Sequence, residues 1–225
     1  MSLSVVVPTL NEGRGIAATL GCARQPGVRE IIVVDGGSVD STCALAHELA
    51  DLVLSAPRGR AAQMNAGAAR ASGDILFFLH ADTLVPDGFA RAIAAACAEP
   101  SVIGGRFDVT LTPSSLLLRL TGELMNWRSR LSHIATGDQG IFIRRDVFTQ
   151  LGGYADIPLM EDIDLSRRMK RAGRIACLRQ RVTTSARRWQ THGVVRTILL
   201  MWSLRALYFF GASPSRLRRL YEDAR

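Results

Sequence analysis

The run at residues 75–83, ILFFLHADT, constrains the fold more than any other stretch of the chain. Ile75 to Leu79 are apolar without a break. A strand with one wet face alternates apolar and polar residues. An unbroken run reads instead as a strand buried on both faces, in a sheet covered by helices on each side. The run ends in His80, Ala81 and Asp82. Alternate strand residues share a side, so the imidazole and the carboxylate are expected to point the same way. In open α/β sheets the carboxyl edge is where ligands bind.

The neighbouring sequence repeats the pattern. Residues 4–7, SVVV, read as a short strand stopped by Pro8, with Asn11 and Glu12 ahead of a helix that runs through residue 23. Residues 30–34, EIIVV, read as a second strand ending in Asp35, followed by the loop GGSVDST and a helix over Thr42 to Leu49. Residues 52–54 fit a short strand, and GRAAQMNAGAARA is alanine-rich and helical. A helix from Pro86 to Ala98 places the proline in its first turn. Strands alternating with helices at short spacing predict βαβ units, hence an α/β fold with a mostly parallel central sheet flanked by helices.

After Pro100 the rhythm changes. Residues 102–112 read as extended, 114–131 as helix, 139–144 as strand, 162–172 as helix capped by Gly173, and 174–178 as a last strand. No repeat or linker interrupts the chain, which predicts one domain over residues 1–225 with two halves. The tail at 194–211, VVRTILLMWSLRALYFFG, is shorter than the roughly 20 apolar residues a spanning helix needs. It carries Arg196 and Arg205, which fall on opposite helical faces. It reads as a docked core helix, or as a helix on a membrane surface helped by Arg216, Arg218 and Arg219.

Hydrophobic residues make up 48% of the 225, enough for a sizeable core and unlike a disordered chain. The formal charge of +8 is almost all arginine, with Lys170 the single lysine. Such a balance suits a polyanion, an anionic membrane surface or a phosphorylated small molecule, or is simply a solvated basic surface. No nucleic-acid-binding motif accompanies the charge, so no nucleic-acid partner is expected. Cys22, Cys43, Cys97 and Cys177 form no C-x-x-C pair and lie beside apolar stretches, as reduced thiols do. The start MSLSVVVPTL lacks the features of a signal peptide, so a cytoplasmic location is expected.

Three strands end in polar loops, PTLNEG, DGGSVDST and HADT. Carboxylates sit at each end: Glu12, Asp35 with Asp40, and Asp82. If the strands are neighbours, these groups converge on one crevice. Gly36 and Gly37 permit a ligand to approach the backbone beside Ser38. Asp35 can accept hydrogen bonds from a base or ribose, or can cap its own turn. Asp82 can hold a hard divalent cation that bridges phosphates, or can cap the next helix. Neither G-x-G-x-x-G nor G-x-x-x-x-G-K-[ST] is present. MEDID at 160–164 crowds Glu161, Asp162 and Asp164 at a helix start, which suits either the helix dipole or a catalytic base.

SVVVPTLNEG, EIIVVDGGSVDST, GRAAQMNAGAARASGDILFFLHADT and MEDIDLSRRMKRAG, in that order, resemble the motif set of the family 2 glycosyltransferases over most of residues 1–175. The resemblance implies the GT-A fold and a nucleoside diphosphate sugar donor, UDP favoured over GDP. It implies a nucleotide-sugar-binding half over 1–105, an acceptor half over 106–190 and a helical tail over 191–225. By it, Pro8, Thr9, Asn11 and Glu12 match the first nucleotide-contacting loop. Asp35, with Gly36, Gly37 and Ser38, matches the base-reading loop, and Arg60 the residue near base or phosphates, with Asn65 on the same helix. His80, Ala81 and Asp82 match a D-x-D metal motif whose first aspartate is here histidine, a variant similar to that of a bacterial subgroup. Asp82 and the late His192 are then the expected ligands of Mn²⁺ or Mg²⁺. Asp162, beside Glu161, matches the base of an inverting transfer. Asp138 and Gln139, in GDQG, match acceptor-side contacts. RRWQTH at 187–192 matches a segment that closes over phosphates, though the Q-x-x-R-W of polymer-forming relatives lacks its glutamine. The sequence does not name the acceptor; the apolar tail favours a lipid-linked one. Two rivals stand beside this reading: a nucleotidyltransferase, and a nucleotide-sugar-binding scaffold that has lost catalysis.

Overall fold

The computed structural model describes residues 1–187 and 193–223. β1 (Leu3–Thr9), β2 (Val28–Asp35), β3 (Leu52–Ser55) and β4 (Ile75–Phe78) lie side by side in the order β3-β2-β1-β4, all parallel. The helices between and after them are α1 (Ile16–Ala23), α2 (Thr42–Leu49), α3 (Arg60–Arg70) and α4 (Phe89–Cys97). The period of two in each strand sorts the apolar runs into two cores. Val5, Val7, Ile31, Val33, Ile75 and Phe77 meet α1 and α4 through Ile16, Leu20, Phe89 and Ile93. Val6, Ile32, Val34, Leu76 and Phe78 meet α3 on the other face through Ala61, Met64 and Ala68. Burying each large apolar side chain contributes roughly 1.5–3 kcal/mol, so a doubly covered strand is strongly fixed in register. α3 comes especially close to β1 at Gly67, where a Cβ would lie 2.4 Å from Val6 Cγ1.

The second half extends the same sheet. β6 (Val102–Thr112), β7 (Ile141–Arg144), β8 (Arg174–Ser185) and the two-residue β5 (Thr83–Leu84) complete the order β3-β2-β1-β4-β7-β6-β8-β5. β7 runs antiparallel to both β4 and β6, while β6 and β8 are parallel. The expected parallel sheet therefore holds in the first half and turns mixed in the second. β8 is also longer than the expected 174–178. Its register shifts between Phe107 and Asp108, so polar Arg179 and Gln180 fall at an irregularity that masks the strand in sequence.

α5 (Leu116–Ser132), α6 (Arg145–Gln150) and α7 (Glu161–Ala172) cover this half. α5 is fastened to β6 by polar groups. Asn126 pairs with both backbone groups of Val109, at 2.8 and 3.1 Å. Buried Arg106 bonds Asp108, which also accepts from Arg130 at 2.6 Å. The tail forms α8 (Val194–Phe209) and α9 (Pro214–Asp223). Leu204 and Leu217 pack on Met160, just ahead of α7. Leu204 is the one buried residue described in α8, so this helix docks by an edge rather than as a core helix.

Candidate active site

Register makes the site. β7 pairs antiparallel with β4, and Phe78 faces Ile141. The amino end of β7 therefore lies beside the carboxyl end of β4, and the GDQG turn comes to rest against HADT. The loops after β1 and β4, the start of α3, this turn and the start of α7 surround a cavity of about 360 Å³. Pro8, Thr9, Glu12, Arg60, His80, Ala81, Asp82, Asp138, Glu161 and Asp162 all line it.

His80 is wedged between the two halves. Its side chain is 14% exposed, and its Nδ1 lies 3.4 Å from Asp138 Oδ1. A Cβ on Gly137 would sit 2.4 Å from His80 Nε2, so the ring rests on a glycine that must stay bare. Residues 80–83 form a turn, closed by Thr83 N–H on the His80 carbonyl at 3.1 Å, rather than the continued strand the alternation implied. His80 and Asp82 nevertheless both reach the cavity.

The acids at the start of α7 are held differently from one another. Asp162 Oδ2 accepts the Gly137 N–H at 2.9 Å, and its Oδ1 accepts the Ile163 N–H at 2.7 Å. The carboxylate is thus oriented by two backbone donors, one from the GDQG turn and one from its own helix. Glu161 is buried and sits 3.7 Å from the Arg60 guanidinium. Burial and the adjacent Asp162 push its pKa up, and Arg60 and His80 only partly offset them. Met160, immediately before, adopts φ +70° while its side chain packs on the tail.

Other expected contacts have structural employment. Asp35 is buried, and its carboxylate accepts from the Gly37 N–H at 2.8 Å, the Ser38 N–H at 2.9 Å and the Ser38 hydroxyl. Burial raises its pKa and these bonds more than reverse that, leaving it lowered. The Gly36 N–H is given to the Thr9 carbonyl at 2.9 Å. Asn11, at φ +55°, bridges the two loops through Ser38 and Val39. Glu12 pairs with Arg187 at 3.0 Å. Of these, Glu12 lines the cavity, while Asn11, Asp35, Gly36, Gly37 and Ser38 lie outside its lining and brace the loops beside it.

Two further expected contacts are held by the protein's own groups. Asn65 lies outside the cavity lining: its amide donates to the Tyr154 carbonyl at 2.8 Å and accepts the Tyr154 N–H at 2.9 Å. α3 turns it toward the segment after α6, so it is spent on backbone. Gln139 is fully buried, donates to Ser129 at 2.9 Å and accepts the Thr136 N–H at 3.3 Å. It caps its own turn, and Asp138 alone of that pair faces the cavity. His192, with Arg188 and Trp189, lies outside the described residues.

Sequence reading missed Gln63, which lines the cavity and donates to the carbonyls of Thr9 and Val34 at 2.8 Å each. Its signal was available: Gln63 and Gly67 share the face of α3 that meets β1. It also missed Met201, Arg205, Arg218 and Tyr221, which bring the tail to the cavity. No local pattern marks them, because only tertiary docking puts them there.

A divalent cation fits this donor set. Asp82 is a half-buried cavity carboxylate that, among the described residues, accepts only a stretched 3.5 Å hydrogen bond from Thr83. No cluster of three or more His, Cys, Asp or Glu arranged for a metal exists among the described residues. Mg²⁺ and Mn²⁺ bound with nucleotides commonly take one or two carboxylates and fill the remaining positions with phosphate and water. The open carboxylate of Asp82 fits that arrangement.

The mixed sheet flanked by helices, with a carboxylate-lined crevice at its edge, is a GT-A fold. A mannosyltransferase from Pyrobaculum calidifontis in complex with GDP-Man and Mn²⁺ shares it at TM-score 0.69 and 23% identity, over 99% of this chain and 68% of that one. TarS 1-349 of S. aureus, in complex with UDP-GlcNAc, matches at TM-score 0.67 and 18% identity, over 82% of this chain and 58% of that one. The chain belongs to glycosyl transferase family 2, whose model matches residues 4–152. A PGL/p-HBAD biosynthesis glycosyltransferase of Mycobacterium tuberculosis is 30% identical over 169 residues, covering 67% of this chain. The chain spans 62% of the length of that relative.

Proposed function

We propose that the protein is a metal-dependent, inverting glycosyltransferase that moves a hexosyl group from a nucleoside diphosphate sugar, UDP-linked in preference to GDP-linked, to a hydroxyl acceptor. The observation that carries this reading is the meeting of Asp162, Arg60 and Asp82 in one crevice, with Asp162 fixed by the Gly137 N–H. Arg60 and the neighbouring Arg58 hold the diphosphate, while Pro8, Thr9 and Glu12 form the floor beneath the nucleotide. The Asp35 loop, stiffened by its own hydrogen bonds, shapes the base end of that floor. Asp82, with His192, is the candidate holder of Mn²⁺ or Mg²⁺, which would supply positive charge to the departing diphosphate.

Asp162 accepts the proton of the acceptor hydroxyl as that oxygen attacks the sugar carbon from the face opposite the leaving group. A bidentate backbone clamp orients it without consuming all its lone pairs. Asp138 contacts the acceptor, and His80 holds Asp138 and Gly137 in place where most of the family carries a further aspartate. That H-A-D variant supports placing the chain in a bacterial subgroup, and the apolar tail supports a lipid-linked, cell-envelope acceptor at the cytoplasmic membrane face.

Calorimetric titration of UDP and GDP, with and without Mn²⁺, tests the reading. One nucleotide should bind tightly only with metal. Asp82→Ala should abolish that dependence while keeping the fold. Asp162→Asn should keep donor binding and lower transfer by about 10²–10⁴-fold, the usual worth of a general base. Transfer at the normal rate by Asp162→Asn would refute the base assignment.

A further inference from the structure

The face of α5 that turns away from β6 is apolar where it meets water. Leu120, Leu124, Trp127 and Leu131 recur at helical spacing and are 53–69% exposed. α8 carries a second such stripe, with Val195, Leu199, Trp202 and Phe209 at 57–71% exposure. The two helices are joined: Val194 packs against the cluster of Leu111, Leu118 and Ala186, so the start of α8 abuts the start of α5. Soluble monomers rarely show so many large apolar side chains on adjoining elements without a binding purpose.

Charge identifies the occupant. Between Gly193 and Tyr221 the sequence holds five arginines and no acidic residue. Arg196, Arg216 and Arg219 are exposed. On α5 the single acid, Glu123, is already paired with Arg181 at 2.5 Å. Leucine and tryptophan beside arginine on exposed helical faces is the composition that settles at a headgroup boundary, with arginines reaching anionic lipid. No described helix is long and apolar enough to cross a membrane. We infer that α5 and α8 together dock this protein peripherally on an anionic lipid bilayer. A neighbouring face of α8 carries Thr197, Met201 and Arg205 into the crevice. Docking therefore sets the crevice beside the headgroups, where a membrane-borne acceptor would arrive. The inference extends the tail's expected membrane contact to a surface in which α5 has an equal share, and it does not depend on the donor chemistry.

The test is sedimentation of the full chain with sucrose-loaded vesicles, one set of phosphatidylcholine alone and one with added phosphatidylglycerol. The protein should pellet with the anionic vesicles, much less with the neutral ones, and should be released by salt. Tryptophan emission should shift to the blue on binding. Trp127→Ser with Trp202→Ser should weaken partitioning about tenfold or more, given the apolar area each ring contributes. Both positions are exposed and outside the crevice, so the double variant should keep its circular dichroism and nucleotide binding. Failure to pellet with either vesicle would overturn the inference. So would a dimer in solution that the double variant dissociates, which would give the face to a second copy of the chain.

Discussion

Gly137→Ala offers the sharpest test of how the two halves meet. The new methyl carbon would lie 2.4 Å from His80 Nε2 and 2.7 Å from Cε1, well inside contact distance. The ring cannot retreat freely, since it is 14% exposed and faces Asp138 at 3.4 Å. Overpacking of this kind costs about 1–3 kcal/mol. For a chain of this size that corresponds to a fall in Tm of roughly 2–12 °C. The displacement also pulls the Gly137 N–H from Asp162 Oδ2, a 2.9 Å bond, so transfer should fall alongside stability. The decisive comparison is a double-mutant cycle. In a His80→Ala background the clash has no partner, and Gly137→Ala should cost nothing or even stabilise, by about 0.4–1 kcal/mol through lost chain entropy. The coupling should thus be about 1–4 kcal/mol, measured by thermal and urea unfolding of all four proteins. Additivity within about 0.5 kcal/mol would refute the contact, and with it the account of His80 as a wedge between the sheet edge and the turn.

Two further predictions concern residues around the crevice. Glu161 has a raised pKa in the folded protein, so its contribution to stability is present below its ordinary value near 4.5 and is lost as pH rises through the raised one. Glu161→Gln should remove that loss. Its Tm relative to the parent should climb as pH rises above the ordinary carboxyl value of 4.5, and a flat difference would contradict the burial argument. Asn65→Leu should lower stability by about 1–3 kcal/mol, because it strands both backbone groups of Tyr154, yet leave nucleotide affinity unchanged; a loss of affinity at constant stability would return Asn65 to the binding site.

The strands, most helices and the principal acids were legible because they obey local rules. An unbroken run such as ILFFL has one low-energy placement, between two layers of helices. Asp82, Glu12, Asp162 and Arg60 sit at the ends of such elements, and a strand or helix end is readable from its own neighbours. The sequence was silent where a side chain answers to something distant along the chain. Asn65 and Gln139 looked like ligand contacts by position, but Asn65 bonds the backbone of Tyr154, 89 residues away, and Gln139 bonds the Ser129 hydroxyl, 10 residues away. Buried polar groups cannot wait unpaired for a substrate.

What the sequence determined alone was the α/β class, the strand ends and the acidic motif, all governed by period, chain entropy and burial within a few turns. What the tertiary structure decided was the sheet's antiparallel turn at β7, which sets Gly137 and Asp138 against His80, and the docking of the tail by Leu204 and Leu217 on Met160. Those outcomes depend on which of several apolar faces meet, and on the fit of one ring against one bare glycine. Packing at that scale is a competition among whole surfaces, and no window of neighbouring residues contains its result.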